Sequence, residues 1–238
     1  MKALILNSGM GGRLQPLTRF IPKALIEIDS KPLLGYQLDR LKSFGITSLI
    51  ITTGPFSNKI MKYVQKEYPS LEVNFVKNLK YRTTNYIYSM WLAKNFVDDD
   101  ILLLHGDLLF EKKLLDKVTE ASDRSCVLVS RSIKAPEKDF KAVIENGRVA
   151  KIGVEFSGEN VFFMAPLYKF TKSEILFWLN EIDKAIRNGE TKIYAENVFN
   201  RISGKLSLFP VYFDKEMCME IDTKDDLDRA RALASNLV

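Results

Sequence analysis

The chain has 238 residues, 46% hydrophobic and 27% charged, with a formal net charge of +5. That length can bury the core of one large α/β domain or two small ones, and charges of both signs alternate without a Lys/Arg block, which argues against a nucleic-acid patch. No stretch approaches the roughly 20 apolar residues of a membrane span, and Cys126 and Cys218 are too few for a disulfide framework or a metal motif.

The chain starts directly on a strand-like run, so no signal peptide is expected, and with so few cysteines a cytoplasmic setting follows. "ALILN" (3–7) is continuously apolar, as in a strand covered on both faces. Leu34, Leu38 and Leu41 recur at helical spacing, with Gly45 where a C-cap would fall. "SLIITTG" (48–54) predicts a second strand, Ile60, Val64 and Tyr68 a second helix, and "EVNFV" (72–76) a third strand. "TTNYIYSMWLAKN" (83–95) predicts a helix with threonine near its N-cap, and "DILLLHGD" (100–107) another buried strand.

This βαβ alternation calls for a mostly parallel sheet with helices on both faces. The second half differs. Apolar runs flank Asn146-Gly147, which predicts a β-hairpin, and "NVFFMAPLYKF" (160–170) a further strand. Ile175, Leu179, Ile182 and Ile186 mark a long helix, "YAENVFNRIS" (194–203) a shorter one and "LSLFPVYF" (206–213) a late strand. Thr223 with Asp226 forms a capping box for a final helix. The expectation is one domain over 1–238, whose character changes near residue 110.

In open α/β sheets, ligands bind beyond the carboxyl ends of the strands. "SGMGGRL" follows the first strand, and "PKAL" comes shortly after. Gly9, Gly11 and Gly12 let backbone N–H groups converge on an anion. The spacing fits neither the dinucleotide fingerprint, whose third glycine position is Leu14, nor the P-loop. A plain strand-to-helix turn would explain the glycines but not Arg13 and Lys23 beside them. Asp107 ends an apolar strand, where it is either a helix N-cap or a carboxylate awaiting a cation. His105, the only histidine, reads as a satisfied core residue.

These residues resemble the nucleotidyltransferase superfamily of the sugar-nucleotide and choline-phosphate type, whose signature is G-x-G-[ST]-R-L followed by P-K. The resemblance spans the whole chain, with "HGD" (105–107) and "EID" (220–222) in the family's order. It implies a Rossmann-like α/β fold with a mixed sheet and a β-hairpin insertion, in which 1–110 is the nucleotide-binding half and 111–238 the acceptor-binding half. It further implies a glycine loop (Leu6, Ser8, Gly9, Met10, Gly11, Gly12) around a nucleoside triphosphate, and phosphate neutralisation by Arg13 and Lys23. Asp107 and Asp222 would bind Mg²⁺, which takes a few carboxylates plus phosphate oxygens. Two positions depart from the family pattern, Asn7-Ser8 for Ala-Ala and Gly12 for Ser or Thr.

"KYRTTNYIYSMWLA" further resembles the bacterial phosphocholine cytidylyltransferases, which implies Asn85 and Ser89 near a cytidine. Asn85 reads equally as a helix cap. "EKDFK" (137–141) resembles the phosphonate cytidylyltransferases that activate 2-aminoethylphosphonate. On that likeness Lys138 and Lys141 would meet a phosphonate and Asp139 or Glu196 its amine, while each fits a solvated cluster nearly as well. Tyr194 offers one wall of an aromatic cage for choline, and phosphocholine stands as the alternative acceptor, ahead of a sugar 1-phosphate. A Rossmann oxidoreductase is disfavoured by Leu14 and by the lack of an acid ending the second strand. A catalytically dead nucleotide-binding regulator is disfavoured by the retention of Arg13, Lys23, Asp107 and Asp222. Oligomeric state is not predicted.

Overall fold

The structure, a computed structural model, describes residues 1–121 and 124–233. In chain order the elements are β1 (Lys2–Asn7), the short β2 (Glu27–Ile28) and β3 (Lys31–Pro32), α1 (Leu33–Ser43), β4 (Ser48–Thr53), α2 (Ser57–Glu67), β5 (Glu72–Lys77), α3 (Tyr86–Ala93), β6 (Ile101–His105) and β7 (Leu108–Phe110). The second half adds α4 (Lys112–Glu120), β8 (Cys126–Ser130), β9 (Lys141–Glu145), β10 (Arg148–Gly153), β11 (Val161–Phe170), α5 (Lys172–Arg187), α6 (Ala195–Ile202), β12 (Phe209–Phe213), β13 (Cys218–Glu220) and α7 (Lys224–Ala232).

The main sheet runs β10-β9-β11-β6-β1-β4-β5, with β8 on β11 and β12 on β8. β6, β1, β4 and β5 are parallel neighbours, and β11 joins β6 antiparallel. Residues 3–6 of β1 are all apolar because the strand lies between two others and under helices on both faces. Leu4 and Leu6 point into a core with Ile87 and Met90 of α3 and Trp178 of α5. Ala3 and Ile5 point the other way, to Leu38 of α1, Ile60 of α2 and Leu114 of α4. Burying a leucine or isoleucine in this way contributes about 1.5–3 kcal/mol. The α/β class with a hairpin insertion is therefore as expected.

Asn146 (φ 50°) and Gly147 (φ 73°) are both left-handed, the backbone that a two-residue turn between β9 and β10 requires. Gly45 is left-handed after α1, and Thr223 and Asp226 form the predicted capping box of α7. The N-cap of α3 is Asn85, as one of the two readings of that residue had it, its side chain accepting from the Tyr86 N–H at 2.7 Å. Thr84 instead donates to the Lys80 carbonyl.

One device outside the main sheet brings the ends of the chain together. β7 pairs antiparallel with β13, Leu108 opposite Glu220, and the Ile221 N–H donates to the Asp107 carbonyl at 3.0 Å. A segment 110 residues downstream is thereby stitched to the turn that follows β6. No helix among the described residues is long and apolar enough to cross a membrane.

Candidate active site

The turn after β1 opens at the carboxyl end of the parallel strands. Gly11 is left-handed (φ 62°), and a Cβ there would lie 2.9 Å from the Thr18 methyl group and 3.1 Å from Lys23 Cβ. Thr18 Oγ1 donates to the Gly11 carbonyl at 2.7 Å, folding the loop back so that Lys23 comes under the glycines. Gly106 is needed for a different reason. Its N–H donates to the Leu6 carbonyl, and a Cβ would collide with the Asn7 side chain, so the ends of β1 and β6 can touch only without one.

Lys23 Nζ donates to Asp107 Oδ2 at 2.8 Å and to Asp222 Oδ1 at 2.6 Å. Arg13 Nη2, mostly exposed, reaches Asp222 Oδ2 at 2.9 Å, and Lys138 Nζ approaches the same oxygen at 3.8 Å while bonding Asp226 at 2.6 Å. Burial alone would lower the Lys23 pKa, but the two aspartates outweigh it and the net shift is upward. For Asp107 burial pushes upward, and Lys23 with His105 brings the carboxyl below its usual range. Six residues from four separate parts of the sequence (Arg13, Lys23, Asp107, Lys138, Asp222 and Asp226) thus share one charged knot.

These groups line a cleft of about 550 Å³ that also includes Tyr86, Phe140, Tyr194 and Glu220. A side chamber of about 170 Å³ joins it, sharing Leu6, Gly9, Asn85 and Asp107 and adding Ser8, Asn78, Thr84 and Ser89. Of the residues expected from sequence, Leu6, Gly9, Gly11, Gly12, Arg13, Lys23, Asn85, Asp107, Lys138, Tyr194 and Asp222 line the cleft, and Ser8 and Ser89 the chamber.

Four expected residues stand elsewhere. Met10 is half exposed and lines neither space. Lys141 turns away and donates to the carbonyls of Glu137, Asp139 and Val154, tying the hairpin base together. Asp139 is buried, and burial with the nearby Asp222 and Asp226 carboxylates, against Lys138, raises its pKa to about 6. Glu196 is buried behind the cleft wall, accepting from the hydroxyls of Tyr86 and Tyr168. Asp107 is not a helix N-cap; it sits in the turn between β6 and β7.

His105 and Glu220 were passed over in the sequence yet belong to the site. His105, Asp107 and Glu220 each place a ligand atom within 4.8 Å of the others, and His105 Nε2, Asp107 Oδ1 and Glu220 Oε1 are buried without partners. Burial, with Asp107, Asp139 and Asp222 close by, raises the Glu220 pKa well above its usual range. Orphaned carboxylate oxygens beside a lysine-bridged aspartate pair are a donor set that suits Mg²⁺. The sequence did carry a signal: Glu220 and Asp222 are two apart at a strand end, so both reach the same side. Phe140 and Tyr86 complete an aromatic wall, with ring centroids 5.2 Å and 5.9 Å from Tyr194.

A glycine turn facing a carboxylate cluster across the strand ends of a Rossmann-like sheet defines an α/β protein that handles phosphorylated nucleotides. The chain belongs to the nucleotidyl transferase family, whose model matches residues 2–152. It is 28% identical over 242 residues to a choline-phosphate cytidylyltransferase of Streptococcus pneumoniae, covering 99% of each chain. It is 30% identical over 134 residues to a CMP-5'-(3-aminopropyl)phosphonate synthase of Streptomyces rubellomurinus, which is 56% of this chain and 21% of that protein. In fold it is similar to an inositol-1-phosphate CTP transferase of T. maritima, with a TM-score of 0.83 at 24% identity over 99% of this chain and 95% of the other.

Proposed function

We propose that this protein is a Mg²⁺-dependent cytidylyltransferase, joining the CMP portion of CTP to a small phosphate or phosphonate that carries an ammonium group, with release of pyrophosphate. The observation that carries the reading is the Lys23 ammonium held between Asp107 and Asp222, directly beneath the glycine turn. The relatives that match nearly the full chain support cytidylyl transfer, the S. pneumoniae enzyme being one.

An acceptor oxygen attacks the α-phosphorus of CTP in line, and the bond to the pyrophosphate oxygen breaks. The acceptor is already ionised, so no general base is required. Asp107, Asp222 and Glu220 are the residues that would hold Mg²⁺, which supplies charge neutralisation on the phosphates when bound. The glycine turn offers backbone N–H groups to the triphosphate, and Arg13 and Lys23 offset its charge. Positioning and electrostatics carry such transfers, because charge on the phosphoryl oxygens grows and moves in the transition state.

For the acceptor, the ammonium-facing wall is aromatic. Tyr86, Phe140 and Tyr194 line the cleft, whereas Asp139 and Glu196, the expected amine partners, do not. Rings suit a quaternary ammonium that cannot donate hydrogen bonds, which favours phosphocholine. The unpartnered Oδ1 of Asp139, next in sequence to cleft-lining Lys138, favours the second reading, a primary amine such as 2-aminoethylphosphonate.

A pyrophosphate-release panel tests the assignment. CTP, UTP, GTP and ATP are each paired with phosphocholine, 2-aminoethylphosphonate, phosphoethanolamine and a sugar 1-phosphate. CTP with phosphocholine should turn over fastest, and Asp107→Asn should abolish it without unfolding the protein. Robust turnover by that variant would falsify the site; a faster sugar 1-phosphate would overturn the acceptor class.

A further inference from the structure

Asn7, the last residue of β1, is 9% exposed, and its side-chain donor Nδ2 is buried with no partner inside the protein. Its backbone is satisfied, the N–H donating to Thr52 Oγ1 at 3.1 Å. The amide lies against Gly106, where a Cβ would overlap Asn7 Oδ1. Oδ1 therefore rests on the glycine Cα–H, a contact that suits an oxygen, whereas a flipped amide would press its N–H₂ there. A buried donor left unmade is costly, and native proteins keep few of them.

Alternation along β1 decides which way the amide faces. Leu4 and Leu6 look to one core, and Ala3 and Ile5 to the other, where Ala24 also packs. Asn7 follows Ile5. With Lys23, Ala24 and Gly106 it lines the main cleft and not the side chamber, while Ser8, one residue on, lines the chamber and not the cleft. Among the described residues, the side chains lining the cleft leave four buried polar atoms unpartnered: Asn7 Nδ2, His105 Nε2, Asp107 Oδ1 and Glu220 Oε1. A cation satisfies the two carboxylate oxygens. It cannot satisfy an amide N–H₂, which only donates. The missing partner of Asn7 is thus an oxygen acceptor that enters with the ligand.

With CTP bound, the nucleoside takes the chamber side of β1 and the triphosphate the glycine turn that begins at Gly9. Asn7 stands at the crossing between them, on the face that carries Lys23. We propose, resting on the CTP reading of the cleft, that Asn7 is a further substrate-binding residue: its Nδ2 donates to a non-bridging oxygen of the α-phosphoryl group, the group that is transferred. The family pattern has alanine at this position, so the amide is a feature of this chain and the fold does not require it. A hydrogen bond to a charged oxygen contributes roughly 10–100-fold in affinity.

The test is calorimetric titration of the full chain, native and Asn7→Ala, with CTP, CMP, 2′-deoxy-CTP and pyrophosphate in Mg²⁺ buffer, which requires no acceptor. Asn7→Ala should weaken CTP, CMP and 2′-deoxy-CTP alike by roughly 10–100-fold and leave pyrophosphate unchanged. Mg²⁺ binding in the absence of nucleotide should also be unchanged, because the amide serves the phosphoryl oxygen and not the carboxylates. Should the alanine variant fail to fold, Asn7→Ser, which also withdraws the amide, takes its place.

Unchanged or tighter CTP binding by the variant means that water alone meets the amide, and the proposal is wrong. A loss for CTP that vanishes with 2′-deoxy-CTP moves the contact to the ribose and overturns it. So does a loss for pyrophosphate without one for CMP. An equal fall in nucleotide-free Mg²⁺ affinity makes Asn7 a support of Asp107, which overturns it as well. Native protein that binds neither CTP nor CMP overturns the CTP reading itself, an outcome distinct from all of these.

Discussion

Lys23 is the residue on which most of the site turns. It separates Asp107 from Asp222, two carboxylates that would otherwise repel across the turn. Lys23→Ala should lower turnover by roughly 10²–10³-fold, since a preorganised cation on the developing charge is lost. The same variant should show a larger Mg²⁺-induced rise in melting temperature than the native protein, because the two acids lose their built-in counter-ion. An unchanged Mg²⁺ response would count against a shared metal position. Asp139 makes a pH prediction. Its folded pKa of about 6 lies above the ordinary 3.8, so the folded state holds this proton more tightly than the unfolded state does. Its favourable contribution is present below pH 4 and is lost as pH rises through 6. Asp139→Asn should therefore be more stable than native at pH 7 by about 1 kcal/mol, allowing for solvent screening, and the gap should close toward pH 4 in urea titrations. The sequence showed that an acid stood beside Lys138, but not that the chain would bury it.

Among the elements, the β7–β13 ladder decides whether the acids meet. Asp222 lies between β13 and the capping box of α7, its N–H donating to Asp226 Oδ2 at 3.1 Å. Asp226 also holds the Thr223 N–H and Lys138 Nζ, so one cap positions two residues of the cleft. Thr223→Ala should cost about 1 kcal/mol in stability and weaken Mg²⁺ binding by calorimetry; loss of stability with intact Mg²⁺ affinity would separate the cap from the site. The hairpin offers a control. Gly147→Val forces a branched side chain to φ 73° and should cost about 1 kcal/mol or more without changing turnover, because the turn lies outside the cleft. Both signals, Thr223 with Asp226 and Asn146-Gly147, were legible as local chemistry. Strands β7 and β13 were not, because three residues apiece carry no periodicity of their own and exist only by pairing with each other.

At the scale of the molecule, the core on one face of the sheet runs without a break from Leu4 of the first half to Trp178 and Phe199 of the second. Calorimetry should accordingly show one cooperative unfolding transition, and two transitions would divide the chain near residue 110. Trp178→Ala, which opens the packing against Tyr168, Phe170 and Phe199, should cost about 3–5 kcal/mol and lower that single transition as a whole. The sequence by itself displayed most of the strands and helices in order, the hairpin, and the glycine turn followed by Arg13 and Lys23, while the pairing of Asp107 with Asp222 came from the family resemblance. The former are carried by local spacing, backbone freedom and apolar periodicity, which a linear chain displays. Only the tertiary structure decided that Glu220 and His105 join the aspartates and that Glu196 and Lys141 leave the cleft. It alone built the wall of Tyr86, Phe140 and Tyr194. Such choices depend on which strand pairs with which and which side chain loses its water, and no property of neighbouring residues fixes either.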